Sequence, residues 1–237
     1  IRREFLNLFF KADMQLEQII EQAFLEDLPK GDLTTDSLNL GVRMGQAKLV
    51  AKEDIILSGA EAFEKSLLFR SEEFVLKWYF TSGSPVLKGQ TICLIRGDLT
   101  ELLKAERVAL NFIGKLSGIA TLTKCFSREV EGTGCKILDT RKTTPLYRDL
   151  ERTAVKDGGG TNHRLNLSDA ILIKENHVRA MGDFKQTVQK VKSNSIKSIE
   201  VETTNLEEVE IATKEKVHRI MLDNMNNDLL KSALEII

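Results

Sequence analysis

This chain of 237 residues contains few cysteines and few prolines, and neither sign of charge is in clear excess. Its three cysteines, Cys93, Cys125 and Cys135, are odd in number and lack metal-ligand spacing, which favours a reducing cytoplasm over a disulfide framework. Three prolines and 15 glycines exclude a fibrous or linker-like protein. Because 34 lysines and arginines balance 35 aspartates and glutamates, no overall field attracts nucleic acid or an acidic membrane, and any anion-binding site must be local. No apolar run approaches the roughly 18 residues of a membrane-spanning helix.

The first hundred residues predict helices and a mostly antiparallel sheet. Apolar side chains repeat at helical spacing over residues 14–26, with Asp13 as the cap and Pro29 beyond the end. Strand-like alternation follows. Residues 48–59 predict two strands that pair, and residues 74–98 predict a hairpin whose turn is rich in glycine, proline and serine.

A second predicted helix begins at Thr100 and has one apolar stripe. The stripe consists of Leu102, Ala105, Ala109, Ile113 and Leu116. Arg107 lies off this stripe, so its side chain is free to reach water or another subunit.

Beyond this helix, four short apolar runs alternate with helical stretches, which is typical of a parallel sheet, open or closed into a barrel. The runs are KILD (136–139), ILIK (171–174), IEVE (199–202) and IMLD (220–223). Each run ends on a charge, and in a barrel the active site forms at the carboxyl ends of the strands. These charges are Asp139, Lys174, Glu202 and Asp223. We therefore expect a site at this edge of the sheet rather than four solvated caps.

Carboxylates on two of the runs suit a hard cation. Glu200 and Glu202 are two residues apart and share one strand face. For Glu200 we favour a salt bridge within the sheet. Glu202 and Asp223 come last in their runs and could hold Mg²⁺ loosely, with water and substrate phosphate as the remaining ligands.

Cationic side chains cluster around the first two runs. They are Arg141, Lys142, Arg148, His163, Arg164 and Lys174. Three successive glycines at 158–160 precede His163 and Arg164. They allow either a close approach of the backbone to a ligand or a left-handed turn. Arginine binds carboxylate or phosphate through paired hydrogen bonds, and lysine acts as a point charge. A solvated charged loop is the alternative, but the position near strand ends favours a substrate with several negative charges. The sequence has no nucleophile elbow, zinc motif or P-loop.

Six segments, in chain order, resemble a single enzyme family. They are LEDLPKGDLTT (25–35), LLKAERVALNFIGKLSGIATLT (102–123), ILDTRKTTP (137–145), GGGTNHRLNLSDAILIKENH (158–177), IEVET (199–203) and IMLDNM (220–225). Together they resemble quinolinate phosphoribosyltransferase, the carboxylating nicotinate-nucleotide pyrophosphorylase, from about residue 14 to residue 237. Motifs such as DTRKTTP and GGG-x-NHR are long enough to be specific.

The resemblance implies an N-terminal α/β sandwich with a mostly antiparallel sheet, residues 1–105. An incomplete α/β barrel, residues 106–237, would follow, as in type II phosphoribosyltransferases. The implied reaction converts quinolinate and phosphoribosyl pyrophosphate to nicotinate mononucleotide, pyrophosphate and CO₂, with Mg²⁺, as a step of NAD synthesis. The implied assembly is a homodimer, or a larger assembly of dimers, in which the neighbouring subunit completes each active site.

Matching the motifs also implies roles for single residues. Arg107 would enter the partner's active site. The residues around the pyridine dicarboxylate would be Arg141, His163, Arg164 and Lys174. Thr140 and Lys142 lie in the same substrate-binding stretch. The catalytic set would be Lys142, Glu202 and Asp223, with the two acidic residues near the ribose hydroxyls and Mg²⁺.

The sequence departs from the family pattern in three places. Leu146 and Tyr147 stand where Gly-Leu is usual, which could change the path of the loop before Arg148. Glu175 replaces the usual aspartate, a mild change. We also expect the family's final strand–helix units, whose glycine-rich loops hold the ribose 5-phosphate, to be missing because the sequence is incomplete.

Two other functions remain open at this point. A paralogous pyrophosphorylase of the same fold would act on a different base, although a neutral base would need fewer cations. A non-enzymatic binding protein that had lost its last barrel units would retain the motifs without turnover.

Overall fold

The structure, a computed structural model, describes residues 16–237, so the predicted helix start at residue 14 and its cap Asp13 lie outside the described residues. The chain divides into two compact units that are consecutive in sequence, with the division between His163 and Arg164. The domain boundary predicted between residues 105 and 106 falls within one continuous helix and stays a prediction.

The first unit combines an antiparallel sheet with a helix of 31 residues. Its elements are α1 (Leu16–Asp27), α2 (Leu33–Leu38), β1 (Met44–Val50), β2 (Ile55–Ile56), α3 (Ala60–Arg70), β3 (Val75–Trp78), β4 (Pro85–Val86), β5 (Thr91–Asp98), α4 (Leu99–Glu129) and α5 (Arg148–Asp157). Strand β5 is central, with β1 and β3 antiparallel on either side, so Met44 lies opposite Asp98 and Val75 opposite Arg96. The mostly antiparallel sheet predicted for this part of the chain is confirmed.

The two strands predicted within residues 48–59 form, but the prediction that they pair with each other is wrong. Strand β1 pairs with β5, and β2 pairs with β4. The link between β1 and β2 is hydrogen-bonded to the segment that follows β4, since Asp54 Oδ1 accepts the Lys88 N–H at 2.8 Å. The link therefore does not form a hairpin turn between β1 and β2. The hairpin predicted over residues 74–98 is confirmed as the antiparallel pair β3 and β5, with β4 in its connection.

Helix α1 confirms the described part of the first predicted helix. Ile19, Ile20 and Phe24 are buried, at the helical spacing expected for a core-facing stripe. The Phe24 ring stacks on Phe69 of α3 with centroids 4.9 Å apart, which fixes α1 against its neighbour.

Helix α4 begins where Asp98 caps it. The Asp98 carboxylate accepts the N–H groups of Arg43 and Thr100, each at 2.9 Å, and these hydrogen bonds hold its pKa below the usual value. The predicted stripe is confirmed: Ala105, Ala109, Ile113 and Leu116 are buried and Leu102 packs at the edge. The opposite face carries exposed charged side chains such as Arg107 and exposed apolar ones such as Leu122 and Phe126. No helix in the described part of the chain is long and apolar enough to cross a membrane.

The second unit is a parallel sheet with helices between its strands. Its elements are β6 (Ile171–Ile173), α6 (Glu175–Met181), α7 (Phe184–Asn194), β7 (Ile199–Thr203), α8 (Leu206–Lys214), β8 (Arg219–Leu222) and α9 (Asn227–Ile236). The order is β6-β7-β8, with Ile173 opposite Val201 and Val201 opposite Ile220. Asn205 caps α8 by accepting the Glu208 N–H at 2.9 Å. The predicted strand–helix–strand repeat is confirmed for these three strands.

The prediction of a parallel strand at residues 136–139, the first of the four apolar runs, is wrong. Residues 136–139 contribute only one parallel bridge, between Leu138 and Thr161. The ladder ends there because the Asp139 side chain turns back and accepts the His163 N–H at 2.7 Å. The predicted mixed α/β class is confirmed, and within residues 16–237 the parallel sheet does not close into a barrel.

The glycines at 158–160 pack against helix α4. A Cβ on Gly158 would lie 2.3 Å from the Ala120 carbonyl oxygen and 2.6 Å from Thr123 Cβ. Gly159 has φ of +87°, so the left-handed turn offered as one use of these glycines is present. At Gly158 it is helix backbone that excludes a side chain.

Gly158→Ala should therefore destabilise the protein, because the Ala120 carbonyl belongs to a helix and cannot move aside. We expect the free energy of unfolding to fall by about 1–3 kcal/mol, the usual cost of overpacking a core, as measured by urea denaturation. Gly118→Ala is the matched control, since a Cβ there meets nothing within 4 Å. Its higher helix propensity should raise the same free energy by about 0.5–1 kcal/mol. Equal stability of Gly158→Ala and the parent protein would contradict this packing.

Candidate active site

The residues singled out by the motifs fall in both units. The first unit contains Arg107, Thr140, Arg141, Lys142 and His163, and the second contains Arg164, Lys174, Glu202 and Asp223. Irregular loop positions most of the first group, whereas strand ends position most of the second.

Thr140, Arg141 and Lys142 lie in an irregular loop that follows the bridge at Leu138. The Thr140 hydroxyl accepts the Lys142 N–H at 3.0 Å, and the Lys142 side chain is exposed. Arg141 is half-buried, and its Nε has no hydrogen-bond partner among residues 16–237. A buried donor left unpaired costs about 1–3 kcal/mol, and a bound anion is one explanation for tolerating it.

The same loop then passes through the two positions that depart from Gly-Leu. Leu146 has φ of +69°, a left-handed conformation that costs a non-glycine residue about 1–2 kcal/mol. Tyr147 anchors the loop, since its ring stacks on Phe112 of α4 with centroids 5.8 Å apart. Burial raises the pKa of Tyr147, with a smaller contribution from the charge of Glu26. The half-buried Tyr147 ring thus helps to hold Leu146 in a conformation that glycine would adopt without strain.

An ion pair between Lys115 of α4 and Glu151 of α5 stabilises this loop. Lys115 Nζ lies 3.0 Å from Glu151 Oε1 and 3.1 Å from the Thr144 hydroxyl. The Thr144 N–H donates to Glu151 Oε2 at 3.2 Å. Burial raises the pKa of Glu151, but the hydrogen bonds from Thr144 and Lys115 outweigh it and keep that pKa below its usual value. The Lys115–Glu151 ion pair is therefore present at neutral pH and weakens as the pH falls through the lowered pKa of Glu151.

Asp139, the charge after the first predicted strand, is used within the fold. Its carboxylate is 5% exposed and lies 3.2 Å from Arg152 Nη1. Asp139 Oδ1 also accepts the His163 N–H at 2.7 Å, and Arg152 Nη2 donates to the His163 carbonyl at 2.9 Å. Sequence analysis missed Arg152, whose one signal is its position a helical turn after Arg148 on α5.

Arg107 lies on the exposed side of α4, as its place off the apolar stripe predicts. Val108 and Ala109, next to it in the chain, are buried against the core. The burial of its neighbours fixes the helix backbone while the guanidinium faces outward.

In the second unit, parallel strands bring three charged residues to one edge of the sheet. Lys174 directly follows β6, Asp223 directly follows β8, and Glu202 is the next-to-last residue of β7. Lys174 Nζ lies 3.8 Å from Glu202 Oε2. Glu202 is opposite Met221, and the Asp223 N–H extends the ladder to the Thr203 carbonyl at 2.9 Å. Because Thr203 takes part in this ladder, Glu202 does not come last in its strand as predicted.

Glu200 occupies the same strand face two residues earlier. It is 9% exposed, and Arg219 Nη1 lies 3.4 Å from its Oε2. The salt bridge predicted for Glu200 is confirmed, so this carboxylate is already neutralised within the unit.

Arg164 and His177 are tied to backbone at the two ends of β6. Arg164 is 9% exposed, and its Nη1 donates to the Ala170 carbonyl at 2.9 Å, which orients the guanidinium plane. His177 Nδ1 accepts the Lys174 N–H at 2.9 Å, which assigns the proton of the neutral ring to Nε2. Sequence analysis missed this cap, although the three-residue spacing from Lys174 to His177 is that of a capping box.

The carboxylates at the sheet edge fit a magnesium ion that arrives with phosphate. Mg²⁺ is usually bound by one or two carboxylates together with water and substrate phosphates, and Glu202 and Asp223 supply two carboxylates on adjacent strands. Within the described residues there is no cluster of three or more His, Cys, Asp or Glu side chains suited to a metal. Two carboxylates alone would leave most of the octahedral positions of Mg²⁺ to water and phosphate oxygens.

Comparison with known families assigns both parts of the chain to the domains of one enzyme. Residues 32–117 match the model of the quinolinate phosphoribosyl transferase N-terminal domain, and residues 119–237 match that of its C-terminal domain. A probable nicotinate-nucleotide pyrophosphorylase (carboxylating) of Synechocystis sp. is 41% identical over 224 residues, covering 92% of this chain and 74% of that protein. A Bacillus subtilis protein of the same name is 37% identical over 220 residues, covering 92% and 76%.

Solved structures agree. NadC from Streptococcus pyogenes has a TM-score of 0.89 at 34% identity, covering 95% of this chain and 80% of that one. The nicotinate-nucleotide pyrophosphorylase from Francisella tularensis has a TM-score of 0.89 at 33% identity, with the same coverage. With both domain models matched and the fold shared, this chain belongs to the quinolinate phosphoribosyltransferase family.

Proposed function

We propose that this chain transfers the phosphoribosyl group of phosphoribosyl pyrophosphate to quinolinate, with loss of CO₂, to give nicotinate mononucleotide and pyrophosphate. The observation that carries the proposal is the match of both parts of the chain to the two domains of one enzyme family. The relatives from Synechocystis and Bacillus subtilis are both named as carboxylating pyrophosphorylases. The reaction is a step of NAD biosynthesis.

Four cations bind the two carboxylates of quinolinate in this proposal. They are Arg141, His163, Arg164 and Lys174. Desolvating a dianion is costly unless charged donors replace its water, and arginine does so with paired hydrogen bonds. The buried Nε of Arg141 supports the assignment, because it is a donor that a ligand carboxylate would satisfy. Thr140 belongs to the same binding loop.

Glu202, Asp223 and Lys142 carry the transfer step. The pyridine nitrogen attacks the anomeric carbon as pyrophosphate leaves, and the carboxylates of Glu202 and Asp223 stabilise the positive charge that develops on the ribose. Lys142, whose ammonium group is exposed, offers a point charge to the departing phosphates. When bound, Mg²⁺ would neutralise pyrophosphate, held by Glu202 and Asp223. The positively charged ring nitrogen then stabilises the electron pair left on C2 as the 2-carboxylate departs as CO₂. A proton taken up at C2 completes nicotinate mononucleotide, so no covalent enzyme intermediate is required.

The proposed assembly is a homodimer, or a larger assembly of dimers, in which Arg107 completes the neighbour's active site. The exposure of Arg107 on α4 supports this role. The proposed location is the cytoplasm, since the thiols of Cys93, Cys125 and Cys135 are free, as is usual in a reducing compartment.

Arg141→Ala and Lys174→Ala should each lower quinolinate turnover several hundredfold or more while leaving the fold intact. Removing one partner of a desolvated charge pair costs on the order of 3–5 kcal/mol. Lys190→Ala, which removes an exposed cation of α7, is the control and should keep parental turnover. Product formation from quinolinate and from nicotinate should be measured side by side. Near-normal turnover would reject the assignment of that residue, and a preference for nicotinate would favour the paralogous activity.

Activity should require Mg²⁺ or Mn²⁺, vanish in excess chelator and return when metal is restored. The expected reason is that Glu202 and Asp223 bind the ion only together with phosphate oxygens. Circular dichroism should not change in chelator. Full turnover in chelator, with phosphoribosyl pyrophosphate freed of metal, would remove any metal role from these two residues.

Arg107→Ala and Arg141→Ala should each be nearly inactive alone but should complement each other when mixed. In an isologous dimer, one subunit of a mixed pair supplies Arg107 and the other supplies Arg141 to a single intact site. Random exchange yields about half mixed dimers with one good site of two, so about a quarter of the parental activity should return. Mixtures that stay inactive, although mass spectrometry shows that subunits have exchanged, would refute a shared site.

A further inference from the structure

We infer that the buried ion pair between Asp139 and Arg152 positions His163 for substrate binding, a role that rests on the proposed contact of His163 with quinolinate. The pair holds both polar backbone groups of His163. Asp139 Oδ1 accepts its N–H at 2.7 Å, and Arg152 Nη2 donates to its carbonyl at 2.9 Å. These two bonds lie on either side of the His163 Cα, so they restrain both of its backbone torsions.

The pair is shielded from water, which strengthens its hold. The side chains of Asp139 and Arg152 are 5% and 10% exposed, and they lie 3.2 Å apart. Asn162, with its amide nitrogen turned toward Asp139, donates to the second carboxylate oxygen at 2.8 Å and to the Arg152 carbonyl at 3.1 Å. Charge-assisted hydrogen bonds in a low dielectric are stronger than neutral exposed ones. Both carboxylate oxygens are thus committed to the segment that carries His163.

This segment needs such restraint because it has little regular structure of its own. Residues 162–165 belong to neither a helix nor a strand, and the nearest ladder contact is the single bridge at Thr161. A binding group must be held within about 0.5 Å of its working position. In this segment side chains supply the order that a strand ladder supplies elsewhere.

Arginine suits this role better than lysine. Its planar fork places Nη1 on the carboxylate and Nη2 on the carbonyl at the same time. An ammonium group is a point charge, so Arg152→Lys keeps the neutralising charge but cannot reproduce the two-sided geometry.

Arg152→Lys tests the inference, with quinolinate affinity, phosphoribosyl pyrophosphate affinity and thermal unfolding as readouts. The dissociation constant for quinolinate should rise about tenfold, as for the loss of one charge-assisted hydrogen bond. That for phosphoribosyl pyrophosphate should stay within about twofold. Arg70→Lys is the matched control, because Arg70 also forks onto a carboxylate in this unit, bonding Glu101 through Nε at 3.0 Å and Nη2 at 2.6 Å. It should leave both affinities unchanged.

A double-variant cycle separates positioning from simple stabilisation. If Arg152 acts through His163, Arg152→Lys should have no further effect on quinolinate affinity in a His163→Ala background. An equal loss in both backgrounds, or a lower melting temperature with unchanged quinolinate affinity, would overturn the inference. Should Arg152→Lys fail to fold, Asp139→Asn takes its place with the same expectations and the same refuting results. Failure of the proposed function would be recognised separately, because the parental protein itself would then not turn over quinolinate.

Discussion

Burial of one face of helix α4 is the constraint on which the rest of the first unit depends. Phe112 on this face stacks on Tyr147 and so anchors the loop that follows Thr140. The Ala120 carbonyl lies against Gly158 and so fixes the turn that precedes His163. Both segments that carry the proposed quinolinate residues of this unit are therefore anchored next to α4, and the Asp139–Arg152 pair holds the His163 backbone itself. The exposed side of the same helix carries Arg107, so a single element supports the local site and presents a residue outward.

The second unit solves the same problem by parallel pairing. Register between β6, β7 and β8 decides which residues share an edge, and it sets Lys174 beside Glu202. In a parallel sheet one ladder aligns all carboxyl ends, so the site follows from topology. The first unit has no such ladder after Leu138 and uses the buried Asp139–Arg152 pair instead. Strand pairing thus positions the charged residues of the second unit, and a buried side-chain pair does the same for His163 in the first.

Sequence analysis predicted the features that depend on local periodicity. The stripe of α4 and the three parallel strands both follow from spacing along the chain. It did not predict choice of partner, because periodicity specifies which face is buried and not what covers it. Strands β1 and β2 therefore found other partners, and residues 136–139 formed a bridge where a strand was predicted. The link from Arg152 to Asp139 spans 13 residues and depends on tertiary packing, so no local pattern indicated it.

The charged groups differ in how strongly each is already paired within its own unit. Asp139 with Arg152, and Glu200 with Arg219, are neutralised within their own units. Recruiting Asp139 for a ligand would mean breaking a buried pair, whereas Glu200 is paired with an Arg219 side chain that is 59% exposed. Lys174 and Glu202, by contrast, are 3.8 Å apart, beyond hydrogen-bonding distance, and interact only through charge. Arg141 keeps one buried donor unpaired among the described residues. Weak internal pairing lowers the energy that a ligand must displace, which in the proposed function makes these groups available to substrate oxygens. Under the proposed function, a chain whose net charge is −1 would bind an anionic substrate by the placement of its cations, without an excess of them.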